Sequence, residues 1–484
     1  MPSPGFYNRT TELADVQAIC GEPRSTLAIV YGARGAGKTR LFEEALAGQK
    51  HYYYQATKRV MVLQLEDMTK ALRAVDPSLI TRAPVHSVEA LFEILADLAD
   101  RDPSTPLSVV IDELPYLADA DAGLLTAIQK WWRTERRKRG NLKLFFLGSR
   151  QSWMRREAVS DDAALKTSRT HNLEVKSLSY RHTASFYSTW SPVDRVRAWA
   201  VWGGLPSALE ELDPTGTLWG NIELTTLHPR ARLYAEPEWL KYTELRSDAL
   251  YSSLVRAIAQ GARSAGDIAV KVGKNSATDV FPYLNQLREA RIVDRRPARA
   301  ANGEMERTAL YVLADPFLAY WYRFVDPNRS ALERGQRAET LAMLHDHDEG
   351  LDKLVSEQAF EDVCREFVAD AHASGRFPPD FKFDALGSWW RGSRTEAPEQ
   401  LDVVAYHRRA LTAVGECKWT EDPVGMGEVE DLRRIVRAAA KDLKPHPRHY
   451  RMLFSKSGFT EDVRRLADEP SQRLLLFEPQ DLYW

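Results

Sequence analysis

The chain has 484 residues, 44% of them hydrophobic and 28% charged, with a formal net charge of -2. That length predicts three or four domains, and the near-neutral balance excludes a globally basic nucleic-acid coat while leaving room for a local basic face. The cysteines, Cys20, Cys364 and Cys417, form neither a CxxC pair nor a zinc spacing and fit free thiols in a reducing compartment.

The chain opens with M-P-S-P-G-F-Y-N-R, which has neither the basic nor the apolar segment of a signal peptide. No run approaches the ~18 apolar residues of a membrane span, so a cytoplasmic protein without a membrane partner is expected. S-T-L-A-I-V-Y (Ser25 to Tyr31) reads as a buried strand and leads into G-A-R-G-A-G-K-T, which fits G-x-x-x-x-G-K-[ST] at every fixed position. Gly32, Gly35 and Gly37 let backbone N–H groups turn onto phosphate oxygens. Lys38 reaches the β/γ-phosphates and Thr39 offers its hydroxyl to Mg2+. ATP or ADP with Mg2+ is the expected cofactor.

Such a loop needs an acid at the tip of a neighbouring strand. L-S-V-V-I-D-E supplies Asp112 for the metal and Glu113 to polarise the attacking water. The strand N-L-K-L-F-F-L-G-S-R then ends in Ser149 and Arg150, polar groups placed to sense a γ-phosphate. Strands near 25–32, 51–56, 107–112, 141–149 and 172–178 alternate with helical patterns, which predicts a parallel α/β sheet. The basic stretch Trp131 to Gly140 reads as a solvated helix end or as a phosphate-contacting patch.

Residues 249–312 read as three helices followed by two strands around Asn302-Gly303, the pattern of a winged helix-turn-helix. The third helix, Ser276 to Ala290, offers Asn285, Gln286 and Arg288 amid acids, with Pro282 expected to kink it. Arg295, Arg296 and Arg299 are candidates to hold phosphates from the wing.

Further on, E-Q-L-D-V-V-A-Y (Glu399 to Tyr406) and L-T-A-V-G-E-C-K-W read as two strands of a hairpin. Alternation puts Glu416 and Lys418 on one face, with Cys417 facing into the packing. Asp402 stands on the first strand, and F-E-D-V-C-R-E-F-V places Glu361 on a preceding helix. Carboxylates suit Mg2+ or Mn2+, and a lysine beside them can orient a water or offset charge at a scissile phosphate. W-W-R-G-S-R (Trp389 to Arg394) reads either as core tryptophans with solvated arginines or as a stacking and phosphate-contacting face. The spacing D-x13-E-x-K resembles that of PD-(D/E)xK nucleases, and the α-β-β-β-α-β order is similar to a restriction-endonuclease-like core.

The whole pattern resembles the prokaryotic "archaeal ATPase" family, a STAND-like branch of the AAA+ ATPases. The resemblance runs from F-Y-N-R-T-T-E-L through the P-loop and D-E-L-P-Y to Gly148-Ser149-Arg150. It implies that Asn8 and Arg9 lie beside the adenine. It also implies that Pro206, in W-G-G-L-P, packs on the base from a helical lid, and that the Ser149 strand lies between the P-loop and Asp112 strands. L-A-D-P-F-L-A-Y-W-Y-R-F-V is similar to a segment found in members with an appended nuclease-like domain of unknown function. The expected architecture is multidomain α/β: an AAA+-like P-loop parallel sheet (1–178), a helical lid (179–246), a winged helix (247–325), a linker (326–350) and a restriction-endonuclease-like domain (351–484). The expected function is an ATPase whose nucleotide state controls a Mg-dependent nuclease acting on DNA, with a homo-oligomer as a further expectation. The alternative is an ATP-driven signalling or DNA-binding scaffold whose nuclease fold does not cut.

Overall fold

The computed structural model describes residues 6–76, 85–133, 141–235, 237, 249–299, 305–346, 348–391 and 399–484. Most of the basic stretch after Arg133, the Asn302-Gly303 turn, the Arg299 side chain and Arg394 lie outside that description. The chain divides into two compact units. One comprises Met1–Leu178, Leu205–Ser207 and Glu289–Arg291; the other comprises Ser179–Gly204, Ala208–Arg288 and Ile292–Trp484.

The first unit is built on a parallel sheet of β1 (Thr26–Tyr31), β2 (His51–Gln55), β3 (Leu107–Asp112), β4 (Leu142–Gly148) and β5 (His171–Glu174), in the order β2-β3-β4-β1-β5. Every residue of β1, β3 and β4 is buried, which is what a sheet covered on both faces demands of its central strands. Alternate residues feed opposite layers. Ile29, Val109, Leu144 and Phe146 pack with Leu91, Phe92 and Trp131, while Val30, Val110, Phe145 and Leu147 pack with Leu41 and Phe42. Lys143 interrupts the apolar run of β4, and its ammonium is satisfied by the carbonyls of Glu22 and Arg24. β4, ending at Gly148, lies between β1 and β3, so the P-loop, Asp112 and Ser149 all emerge at one edge of the sheet.

In the second unit, helices Ala249–Ala259, Ala265–Lys271 and Phe281–Glu289 precede the hairpin of β6 (Val293–Arg299) and β7 (Met305–Leu313). The expected kink at Pro282 is absent. A short 3-10 turn, Ala277–Asp279, comes first, and the helix starts at Phe281, so the proline sits in the first turn, where its missing N–H costs no hydrogen bond. Residues 326–350 include the helices Arg329–Glu333 and Arg337–Leu344.

A mixed sheet follows, made of β8 (Ala385–Arg391), β9 (Glu399–His407), β10 (Ala410–Lys418), β11 (Pro445–Ser455) and β12 (Leu474–Phe477), in the order β12-β11-β10-β9-β8. β8, β9 and β10 are antiparallel neighbours; β10, β11 and β12 run parallel. On one face Val404, Val414 and Leu453 pack against Val429, Leu432 and Val436 of the helix Met426–Ala438. On the other, Phe367 of the helix Phe360–Ala373 meets Phe454 and Phe477 edge-on. Trp389 is a core residue of β8, and Arg391 is paired with Glu399 (2.8 Å) and Asp442 (3.1 Å). Trp389 and Arg391 fit the packing reading, while Trp390 is only half-buried.

One half-buried carboxylate ties several of these elements together. Asp352 accepts both Nε and Nη2 of Arg197 at 2.8 Å, Nζ of Lys456 at 2.8 Å and the indole N–H of Trp419 at 3.0 Å. Burial alone would raise its pKa, but the hydrogen bonds from Arg197, Lys456 and Trp419 outweigh that and hold it well below the usual carboxylate range. A depressed carboxyl adds stability above its unfolded pKa and loses it as pH falls through the folded one. Asp352→Asn should therefore cost about 3 kcal/mol at pH 7 by denaturant unfolding. The gap to wild type should narrow below about pH 4.

Candidate functional site

At the edge of the first sheet, β1 passes into the P-loop and the helix Lys38–Ala45. Gly35 (φ 78°) and Gly37 (φ 87°) hold left-handed conformations that let the loop turn and start the helix. A Cβ on Gly35 would lie 2.0 Å from the Ser207 hydroxyl oxygen, and the Ser207 N–H donates to the Gly35 carbonyl at 3.2 Å. Pro206 lies against Gly37, so the G-L-P-S segment rests on the phosphate loop. The Lys38 ammonium donates to the carbonyls of Gly32 (2.9 Å) and Ala33 (3.0 Å), and burial lowers its pKa against the opposing pull of Glu113 and Asp112. Arg9 is 4% exposed and donates to the carbonyls of Lys176 (2.7 Å) and Ala36 (2.5 Å), with Glu12 at 3.2 Å. It braces the loop backbone. Asn8 precedes it on the surface in the left-handed region (φ 51°).

Thr39 donates to Asp112 Oδ2 at 3.1 Å, and Asp112 Oδ1 accepts the Glu113 N–H at 2.8 Å. Glu113 itself is left-handed (φ 58°), a strained state for a residue with a Cβ, and its Oε2 accepts the Ser149 N–H at 3.2 Å. Arg150 is paired with Asp119 at 2.6 Å. The P-loop, the β3 acids and the β4 tip thus form one constellation. Sequence reading missed Tyr53, whose hydroxyl donates to Asp112 Oδ2 at 2.5 Å. Nothing in Y-Y-Y beyond strand alternation distinguishes Tyr53, which faces away from Tyr52 and Tyr54.

The second constellation lies on the mixed sheet. The last paired residues of β9 and β10 are Val403 and Gly415; one step beyond stand Asp402 and Glu416. Asp402 Oδ2 accepts the Cys417 N–H at 2.8 Å, and its Oδ1 accepts Gln400 Nε2 at 2.8 Å. The same Gln400 amide donates to Glu361 Oε1 at 3.2 Å, so one side chain gathers the acids of a strand and a helix. Lys418 Nζ lies 3.1 Å from Glu416 Oε2. Arg365, one helical turn after Glu361, reaches it at 3.4 Å and donates to the Asp402 carbonyl at 2.7 Å. Neither Gln400 nor Arg365 was singled out from sequence. The available signal was spacing: Gln400 is two residues from Asp402 on a strand, and Arg365 four from Glu361 on a helix.

Electrostatically this corner is overfilled with acid. Burial first, and the Asp402 charge second, push Glu361 and Glu416 each up to about 7, against Arg365 in one case and Lys418 in the other. For Lys418, burial works downward, but Glu416 outweighs it and keeps the ammonium charged. Among the described residues no group of three or more His, Cys, Asp or Glu is arranged as a metal cage. Asp402 and Glu416 nevertheless suit an ion such as Mg2+, which keeps several waters and takes only one or two carboxylates besides substrate phosphate. Thr39 and Asp112 suit the same ion at the P-loop.

Residues 6–212 match the family described as an ATPase domain predominantly from Archaea, and residues 321–435 match one described as archaeal and bacterial proteins of unknown function. An uncharacterized protein of Methanocaldococcus jannaschii is 25% identical over 421 residues, covering 86% of this chain and 88% of its own. Among solved structures, the Walker-type ATPase PABY2304 of Pyrococcus abyssi aligns with a TM-score of 0.50 at 18% identity, over 66% of this chain and 96% of its own. Residues 6–212 are therefore similar to archaeal ATPase domains, with the fold of a Walker-type ATPase, and residues 321–435 are similar to a C-terminal domain of a kind whose function is unknown. Among the described residues, no helix is long and apolar enough to cross a membrane.

A carboxyl whose folded pKa is raised adds stability below its unfolded pKa and loses it as pH rises through the folded one. The Glu361–Glu416 pair should therefore make the metal-free protein lose stability between about pH 5 and 8, as followed by denaturant unfolding. Asp402→Asn, which removes the largest neighbouring charge, should flatten that decline. An equal slope in both proteins would disprove the assignment.

Proposed function

We propose that this protein is an ATPase whose nucleotide state controls a metal-dependent phosphodiesterase site on the mixed sheet, acting on DNA. The observation that carries the reading is the convergence of Asp402, Glu416 and Glu361 beside Lys418, in the D-x13-E-x-K spacing. Asp402 and Glu416 would hold Mg2+ or Mn2+, and the bound ion would supply an activated water and charge neutralisation at phosphorus. Lys418 keeps its proton, so its role is to orient that water and offset charge on the phosphate rather than to act as base. Gln400 holds the Asp402 and Glu361 carboxylates in register, and Arg365 restrains Glu361. Hydrolysis joins the water oxygen to phosphorus and breaks one ester P–O bond, with the leaving oxygen taking up a proton.

At the P-loop, Lys38, Thr39 and Asp112 would bind Mg-ATP, and Glu113 would polarise the attacking water after leaving the Ser149 N–H. Control by nucleotide is supported by chain connectivity. The helix Pro192–Trp202 carries Arg197, which holds Asp352, and the chain then runs directly into the Leu205–Ser207 segment, whose Ser207 N–H meets Gly35. A change in the P-loop would be felt along this segment. DNA contact finds its support in Arg295 and Arg296 of the hairpin, although Arg296 is paired with Asp362 at 2.7 Å. A homo-oligomer is also part of the proposal, closed symmetric assemblies being common among soluble proteins.

A second reading, a nucleotide-driven scaffold that binds DNA without cutting, is favoured by the hold of Arg365 on Glu361. Incubation of supercoiled and branched DNA with the full chain, ATP and Mg2+ or Mn2+ separates the two. Cleavage is expected, reduced at least a hundredfold in Asp402→Ala, while Lys38→Ala removes the response to ATP. Binding without cleavage under all these conditions would support the scaffold.

A further inference from the structure

The pair of groups that would meet the ion at the P-loop is already covered by a hydroxyl. Tyr53, on β2, donates to Asp112 Oδ2 at 2.5 Å and lies 3.3 Å from Thr39 Oγ1. Those two oxygens are 3.1 Å apart, so the phenol oxygen stands within hydrogen-bond reach of both. Asp112 is 3% exposed, and its other oxygen accepts the Glu113 N–H at 2.8 Å. A carboxylate offers about four lone-pair sites. Here Thr39, Tyr53 and the Glu113 N–H occupy three of them.

Mg2+ sheds its hydration shell reluctantly and reaches protein groups partly through its waters. Thr39 and Asp112 are the groups that would hold the ion here, and waters the ion keeps would compete for the same oxygens. The Tyr53 oxygen has the partners such a water would have. The neighbouring Lys38 is likewise satisfied by its own loop, on Gly32 and Ala33. Both groups thus make hydrogen bonds within the protein that a bound Mg-nucleotide would compete with.

We propose that Tyr53 is a positioning residue whose hydroxyl competes with a magnesium-bound water for Asp112 and must leave that carboxylate when Mg-nucleotide binds. It thereby sets the Mg2+ requirement of the ATPase. The inference rests on the P-loop being an Mg-ATP site, and a binding measurement separates the two.

The affinity of the full-length chain for a fluorescent ADP analogue is measured in EDTA and across Mg2+ concentrations, for wild type, Tyr53→Phe and Tyr53→Leu, with melting curves to verify folding. The quantity read is the ratio of Kd without Mg2+ to Kd with it. Removing a hydroxyl that competes for a charged acceptor should raise this ratio about tenfold. Affinity in EDTA should stay within about twofold, because the hydroxyl touches the metal-binding groups rather than the nucleotide's own contacts. A ratio unchanged or lowered in the folded variants overturns the inference, and a lowered one makes Tyr53 a supporter of the bound ion. If wild type shows no Mg2+ effect at all, the reading of the P-loop fails and this inference with it.

Discussion

The C-terminal sheet depends on how one buried aspartate is held. Asp402 takes the Cys417 N–H across the β9–β10 pair and the Gln400 amide along its own strand. Gln400 extends the hold to Glu361 on the helix Phe360–Ala373, and Arg365 of that helix returns to the Asp402 carbonyl. Three elements are thus locked around one carboxylate, and Glu416 is set opposite it with Lys418 beside it. Burying so much acid in one place is unfavourable unless cations or protons compensate. Arg365 and Lys418 supply part of that compensation, and the raised glutamates show that it is incomplete.

The P-loop edge obeys a similar rule with different parts. Asp112 is buried at the end of β3 and surrounded by donors from the strand beside it, the loop helix and its own chain neighbour. Lys38 is satisfied by loop carbonyls and Glu113 by a backbone N–H. Each group that phosphate chemistry would recruit therefore has a partner within the protein, and nucleotide binding would exchange one set of hydrogen bonds for another. Such an exchange costs little net energy per bond.

What could be read from residue order was whatever obeys a local period. The apolar runs of β1, β3 and β4 mark buried parallel strands, and their tips carry the P-loop, Asp112 and Ser149. The placement of β4 between β1 and β3 came from resemblance, because strand order is a long-range property that no local pattern encodes. The D-x13-E-x-K spacing predicted a hairpin, and Asp402 and Glu416 do stand across it. Gln400, Arg365 and Tyr53 escaped notice because their partners are distant in sequence or because each looked like an ordinary surface residue on its element. The same holds for Asp352, whose partners Arg197, Trp419 and Lys456 come from three separate segments. Pro282 misled for the opposite reason: its effect depends on where the helix begins, and a 3-10 turn moved that start forward.

In the proposed reading the acids of the mixed sheet form a metal site in the intact protein. Anomalous scattering from crystals soaked in Mn2+ tests it directly. An ion bound by Asp402 and Glu416 within reach of Lys418 is expected; manganese at the P-loop alone, with that corner empty, would rule the site out.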